Sequence, residues 1–135
     1  MKNIYKTLAF LILILNFYQL EAQTNGMNFT ITSTSMEVMG HTLPLMSTID
    51  KKGNSIIWKQ SSGGKTNTTV FSIVNTSGQW DTTTGLGEIS YSMKLKNNAC
   101  TLVLTGTQQG IVAILSFTGQ EQGDTTLNVN TISYQ

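Results

Sequence analysis

Apolar and polar residues alternate with a period of two through most of the chain. The clearest segment, residues 87–96, places Ile89, Tyr91, Met93 and Leu95 on one side and serine, lysine and glutamate on the other. That period is typical of a β-strand with one buried face and one face in water. We therefore expect these four apolar side chains to point into the core.

Similar segments rich in threonine, valine, isoleucine and aromatic residues recur along the chain. They are residues 28–34, 35–43, 45–50, 55–60, 68–74, 101–105, 111–118 and 126–134. Short glycine- and asparagine-bearing separators lie between them, residues 76–80 and 119–124 among these, and they suit hairpin turns between antiparallel neighbours. The pattern predicts a single all-β domain of about eight or nine antiparallel strands, either a β-sandwich or an up-and-down barrel-like sheet.

The N-terminal segment has the composition of an export signal. Lys2 and Lys6 precede a short apolar run at residues 7–15, and Ala22 is small enough for a signal peptidase site. The run is well short of the roughly 20 apolar residues that a membrane-spanning helix needs. We expect a bacterial signal peptide at residues 1–22, a single domain at residues 23–135 with no transmembrane segment, and a secreted or periplasmic location.

The charge pattern argues against nucleic-acid binding. The chain has eight basic and seven acidic residues and a net charge of +1, and all the basic residues are lysines. Arginine is the usual bidentate contact to phosphate and guanine, and a nearly neutral chain gains little from counterion release. We therefore predict no nucleic-acid partner.

One short stretch resembles part of a nucleotide site. Gly64, Lys65 and Thr66 match the end of a phosphate-binding loop, but position 59, where the loop needs its first glycine, is Lys59. The residues after Thr66 form a predicted strand, whereas the loop requires a helix whose dipole faces the phosphate. A hairpin turn at Gly63 and Gly64, with no bound nucleotide, is the better interpretation.

The sequence gives little support for a metal or cofactor site. The single histidine, His41, shares a predicted strand face with Glu37, but two ligands do not complete a zinc site. Residues 81–88 have only their terminal carboxylates, too few for a calcium loop, and a threonine-rich hairpin turn is favoured. The single cysteine, Cys100, alternates with leucines as a buried strand residue does. We predict no metal, no cofactor and no catalytic residue.

One enzymatic alternative stays open. The acidic residues of the predicted domain include several that the fold could bring together as a sugar-hydrolysing pair. They are Asp50, Asp81, Glu88, Glu121 and Asp124.

The remaining features favour a binding function over a catalytic one. Trp58 shares its strand face with Ile56 and is expected in the core. Trp80 lies beside a predicted turn, where it serves equally well as a core plug or as a ligand platform. Trp80 and the neighbouring acids Asp81 and Glu88 form our predicted contact patch.

Three functions are therefore compatible with the sequence. The favoured one is an exported non-enzymatic β-domain that binds a small apolar ligand, a glycan or a protein partner. Methionines support the apolar ligand, because they line adaptable cavities; they are Met27, Met36, Met39, Met46 and Met93. The alternatives are a structural or surface-matrix protein that assembles through strand edges, and a secreted hydrolase with a carboxylate pair.

Overall fold

The structure is a computed structural model that describes residues 26–119, 121 and 123–135. The predicted signal peptide at residues 1–22 lies outside the described residues. The described chain forms strands and no helix: β1 Phe29–Ser33, β2 Met36–Val38, β3 His41–Leu43, β4 Met46–Lys52, β5 Ser55–Ser62, β6 Lys65–Asp81, β7 Leu86–Leu95, β8 Asn98–Thr107, β9 Gly110–Phe117, β10 Thr125–Val129 and β11 Thr131–Tyr134.

The strands form one antiparallel sheet in the order β11-β1-β4-β5-β6-β7-β8-β9-β10-β2-β3. From β4 to β10, each strand pairs with the next one along the chain, because the turns between them are short. The sheet curls into a half-barrel around one core. The all-β antiparallel prediction is confirmed, whereas a sandwich of two sheets is not what the described chain forms.

The sheet has eleven strands rather than eight or nine, because two predicted strands are each divided in two. Residues 35–43 form a hairpin of β2 and β3, whose turn residues Met39 and Gly40 both have positive φ, 52° and 77°. Such a pair makes the tight turn that matches strand twist. Residues 126–134 divide at Asn130, whose side-chain Oδ1 accepts from the Thr34 N–H at 2.8 Å.

The separator predicted at residues 76–80 is wrong. These residues belong to β6, which continues past an irregularity between Ile73 and Asn75 and stays paired with β7. Gly78, which favoured a turn in the sequence, lies opposite Ile89 with a φ of 99°. A Cβ at this position would collide with the Glu88 carbonyl. The glycine therefore permits close strand approach instead of ending the strand.

The core lies on the inner face of the curled sheet. Ile89 and Tyr91 have no exposed surface and Met93 has 2%, as the alternation predicts. Leu95, near the end of β7, is half-buried and packs against the same cluster. Trp58 and Cys100 are also buried in this core. The period-two prediction for β7 is thus confirmed.

The curl brings the first and last strands together. β1 pairs with β11, and β2 pairs with β10, so the successive strands β1 and β2 lie against the successive strands β10 and β11. Between these two pairings, Asn130 N–H donates to the Thr32 carbonyl at 2.8 Å, and the Ser33 hydroxyl donates to the Asn128 carbonyl at 2.7 Å. These bonds satisfy polar groups where the strand pairing is interrupted.

The alternating strand directions give the sheet two ends. One end, here called the tryptophan end, carries Trp80, the turns at residues 53–54, 82–85 and 108–109, and Tyr134 at the close of β11. The opposite end, here called the hairpin end, carries the β2–β3 hairpin and the described residues between β9 and β10, which are 118, 119, 121, 123 and 124.

Candidate functional site

The hairpin of β6 and β7 builds most of the site at the tryptophan end. Its turn, Thr82 to Gly85, closes with a hydrogen bond from the Gly85 N–H to the Asp81 carbonyl at 2.8 Å. Gly87 lies opposite Trp80 with a φ of 128°, and a Cβ there would collide with the Gln79 carbonyl. The close approach allowed by this glycine fixes how the turn leaves the sheet.

Trp80 closes this end of the core. Its exposed fraction is 8%, and its indole N–H donates to the Tyr134 hydroxyl at 2.8 Å. The ring lies over Gly106 on β8, where an added Cβ would come within 2.8 Å of Trp80 Cη2 and would also collide with the Gly85 carbonyl. Of the two interpretations left open by the sequence, the core plug describes the packing of this residue.

Asp81 follows Trp80 and is exposed at the turn. Its carboxylate oxygen Oδ1 accepts the backbone N–H groups of Thr83 at 2.8 Å and Thr84 at 3.3 Å. These hydrogen bonds favour the ionised form and hold the pKa of Asp81 below its usual value. The residue is therefore a negative charge whose orientation is held by the turn.

An open cleft of about 820 Å³ lies against these residues. Its walls come from the start of β1, the end of β11 and the β6–β7 hairpin. The lining residues are Met27, Asn28, Gln79, Trp80, Asp81, Thr82, Thr83, Leu86, Gly87, Tyr134 and Gln135.

The cleft combines three kinds of group. Asn28, Gln79 and Gln135 bring amide groups to the lining; Asn28 Oδ1 accepts the Gly53 N–H at 3.0 Å and Gln135 Nε2 donates to the Thr30 hydroxyl at 3.2 Å, which leaves the other amide atoms of these two side chains for further hydrogen bonds. The Asp81 carboxylate accepts them. Trp80 and Tyr134 add aromatic surface. The arrangement is suited to holding a polar ligand that also has apolar faces.

The predicted contact patch is only partly brought together. Trp80 and Asp81 both line the cleft, but Glu88 does not. Because Ile89 points into the core, Glu88 lies on the outer face, where its Oε2 accepts the Thr105 hydroxyl at 3.3 Å. Binding at these residues stays a prediction.

The sequence analysis missed Lys51. It is 1% exposed on the inner face of β4, and its ammonium nitrogen lies 5.9 Å from the Tyr91 ring centroid. Burial lowers the pKa of Lys51 and raises the pKa of Tyr91. The predicted strand at residues 45–50 ends just before Lys51, whereas continuing the alternation from Ile49 by two residues places Lys51 on the inner face.

The remaining candidates do not form a centre. Glu37 and His41 do not share a strand face, because a turn separates them and Glu37 pairs with Thr42. No cluster of three or more histidine, cysteine or acidic residues exists among residues 26–119, 121 and 123–135. Desolvation raises the pKa of the buried Cys100 thiol, so this thiol is a poor nucleophile.

Of the possible hydrolytic carboxylates, Asp81 and Glu88 lie on the paired strands β6 and β7, whereas the other three lie elsewhere in the molecule. Asp50 lies on β4 beside Thr30, whose hydroxyl donates to it. Asp81 is at the tryptophan end, while Glu121 and Asp124 lie in the β9–β10 connection at the opposite end.

The methionines do not line a common cavity. Met93 is in the core and Met27 lines the cleft, whereas Met39 and Met46 are 69% and 65% exposed. The apolar-cavity hypothesis therefore loses its main support.

No helix in the described part of the chain is long and apolar enough to cross a membrane. Known family models, curated proteins and solved structures give no match to the chain.

Proposed function

We propose that the protein is an exported, non-enzymatic glycan-binding domain whose site is the cleft at the tryptophan end. The observation that supports it is that residues with amide side chains, the oriented Asp81 carboxylate, Trp80 and Tyr134 all line one cleft. Sugars present hydroxyl groups around apolar ring faces, so amides and a carboxylate can bind their edges while the partly exposed Tyr134 ring contacts a face.

The filled interior favours this cleft over an internal lipid site. Large side chains such as Phe29, Phe71 and Leu102 have no exposed surface and belong to one cluster inside the curled sheet. The interior of a small barrel holds either its own side chains or one small ligand, and here side chains occupy it. A ligand is therefore expected at the open end.

The packing of Trp80 makes the cleft rigid. Its indole bond to Tyr134 connects the β6–β7 hairpin to the last strand, and Gly106 fixes the ring position. A preformed site loses less conformational entropy when a ligand binds. Trp80 therefore supports the site more than it offers a free stacking surface.

Glycan-array screening followed by calorimetry tests the proposal. Asp81→Asn keeps an oxygen for the turn while removing the charge, and Gln79→Ala removes one amide. Each change should weaken binding roughly tenfold, the effect of losing one or two kcal/mol of hydrogen bonding. The matched control, Asp124→Asn at the opposite end, should bind normally. Equal affinity of all four proteins would contradict the proposal.

Assembly through a strand edge is the second candidate. β3 is the last strand of the sheet and all its residues are exposed, and Leu43 and Met46 beside it are 45% and 65% exposed. Unpaired edges of this kind recruit a further strand. Sedimentation velocity at increasing concentration should then show association that Leu43→Lys abolishes; a monomer at every concentration would remove this candidate.

A further inference from the structure

The cleft at the tryptophan end carries charge of one sign. Among the described residues that line it, Asp81 has the only side chain that is ionised at neutral pH, and no lysine or histidine accompanies it. Asp81 is also exposed, so its carboxylate is open to a molecule that enters the cleft. The cleft therefore presents a negative charge to its ligand.

The β6–β7 hairpin adds a second negative charge nearby. Asp81 and Glu88 are the only charged residues of the sequence between positions 66 and 93. Glu88 lies opposite Gln79, and directly paired residues point to the same face of a sheet. Glu88 does not line the cleft, so it acts only through its field, which adds to the field of Asp81 on this side of the hairpin.

The β6–β7 turn prepares Asp81 for a cationic partner. The backbone N–H groups of Thr83 and Thr84 donate to one carboxylate oxygen of Asp81 and hold the pKa of this residue below its usual value. The carboxylate is therefore ionised and already oriented in neutral solution. An oriented group loses less conformational freedom than a free side chain when a ligand binds.

The facing wall of the cleft has uncharged side chains. It consists of Met27 and Asn28 before β1 and of Tyr134 and Gln135 at the end of the chain. Its two amide side chains suit sugar hydroxyl groups. The Tyr134 ring is partly exposed, and the face of an aromatic ring attracts an ammonium group. No side chain on this wall repels a cation.

Three classes of sugar differ in how they match this charge. A sugar that carries a carboxylate or sulfate group is repelled by Asp81. A neutral sugar leaves the charge of Asp81 without an opposite charge. An amino sugar with a free amine is protonated in neutral solution, and its ammonium group forms the stronger, charge-assisted hydrogen bond to a carboxylate.

We propose that the cleft selects amino sugars whose amine is free, with the ammonium group bound at Asp81 and the hydroxyl groups bound by the amides of the cleft. This inference rests on the proposed glycan-binding function and names its ligand class.

Matched sugars test the inference. The probes are glucosamine, glucose, N-acetylglucosamine and glucuronate, together with the corresponding four sugars of the galactose series, each titrated into the ¹⁵N-labelled protein with a chelator present. In at least one series the free amino sugar should bind about two- to fivefold more tightly than the neutral members, the range for a charge pair at a surface. The acidic member should bind most weakly.

Salt and one variant locate the preference. In about 1 M sodium chloride, where charges are screened beyond roughly 3 Å, the preference of the wild-type protein should shrink. Asp81→Asn, which keeps an oxygen for the turn, should bind amino and neutral sugars equally. The matched control Asp124→Asn, at the opposite end of the sheet, should keep the wild-type preference.

Two kinds of failure are distinguishable. Equal binding of amino and neutral sugars to the wild-type protein, tighter binding of the acidic member, or a preference that survives high salt or Asp81→Asn would overturn the inference while leaving the proposed function intact. Absence of any sugar binding, in this panel and on the array, would instead contradict both.

Discussion

The two ends of the curled sheet are built differently. At the tryptophan end, a buried indole, a phenol hydroxyl and a glycine of β8 connect three parts of the chain. At the hairpin end, β3 pairs with β2 alone, and the apolar side chains of Met39 and Leu43 are exposed. The comparison teaches that the fold holds one end in a fixed geometry, and a rigid end suits a preformed binding site.

The largest expected difference between the ends comes from truncating their apolar residues. Trp80→Ala should lower the free energy of unfolding by about 3 to 5 kcal/mol, because it removes a buried aromatic side chain and leaves a cavity. Leu43→Ala should change it by about 0.5 kcal/mol or less, because Leu43 is exposed. Urea denaturation measures both. Similar losses at the two positions would show that the ends are equally packed.

A substitution at Gly106, with a smaller expected effect on stability, tests how the Trp80 ring packs. Gly106→Ala should destabilise the protein by about 1 to 3 kcal/mol, since the new methyl group meets the indole and the Gly85 carbonyl. In a double-mutant cycle, Trp80→Ala should relieve only the part of this loss that comes from the ring. Strict additivity of the two changes would mean that Trp80 does not lie over Gly106.

Removing the hydrogen bond between the β6–β7 hairpin and β11 should have a smaller effect on stability. Tyr134→Phe removes the acceptor of the Trp80 indole N–H and leaves that donor buried without a partner. We expect a loss of about 1 kcal/mol, accompanied by faster hydrogen exchange of the indole proton. Unchanged exchange in a folded variant would contradict the contact.

The pH dependence of the free energy of unfolding tests whether Lys51 is buried. Burial lowers its pKa in the folded protein, while the unfolded chain keeps the ordinary value of 10.5. Between the lowered pKa and 10.5 the unfolded chain binds more protons, so stability should rise with pH in that window. Below the lowered pKa both states are protonated and this dependence ends.

Comparison with Lys51→Met removes the contributions of other groups. The difference in unfolding free energy between the two proteins should shrink as the pH rises towards 10, with Lys51→Met the more stable at neutral pH. Tyr91, whose pKa is raised, remains in both proteins and cancels. A constant difference across this range would show that Lys51 is not held in a desolvated place.

The sequence predicts the fold better than the site, and particular residues explain why. The alternation around Ile89 and Tyr91 places those residues correctly, because burial of one sheet face depends on period alone. Gly78 misled the strand assignment, because a glycine that permits close approach looks in sequence like one that makes a turn. Asn130 divides a strand through a side-chain bond that no local pattern reveals.

The site depends on contacts between distant residues. Trp80 meets Tyr134 and Gly106 only through the curl of the sheet, so the sequence left its role open between core and surface. The sequence analysis named Asp81 because it follows Trp80, an aromatic residue beside a predicted turn. Lys51 was missed because the predicted strand ends at residue 50, next to the glycine and asparagine at positions 53 and 54, whereas β4 continues to Lys52.

The most direct test of the central claim is a chemical-shift map of the ¹⁵N-labelled protein titrated with its best array glycan. The account predicts that the shifts concentrate on backbone and side-chain amides of the cleft, above all Asn28, Gln79, Asp81 and Gln135, while the β2–β3 hairpin stays unchanged. Shifts centred on β3 and Leu43, with the cleft amides unmoved, would contradict it.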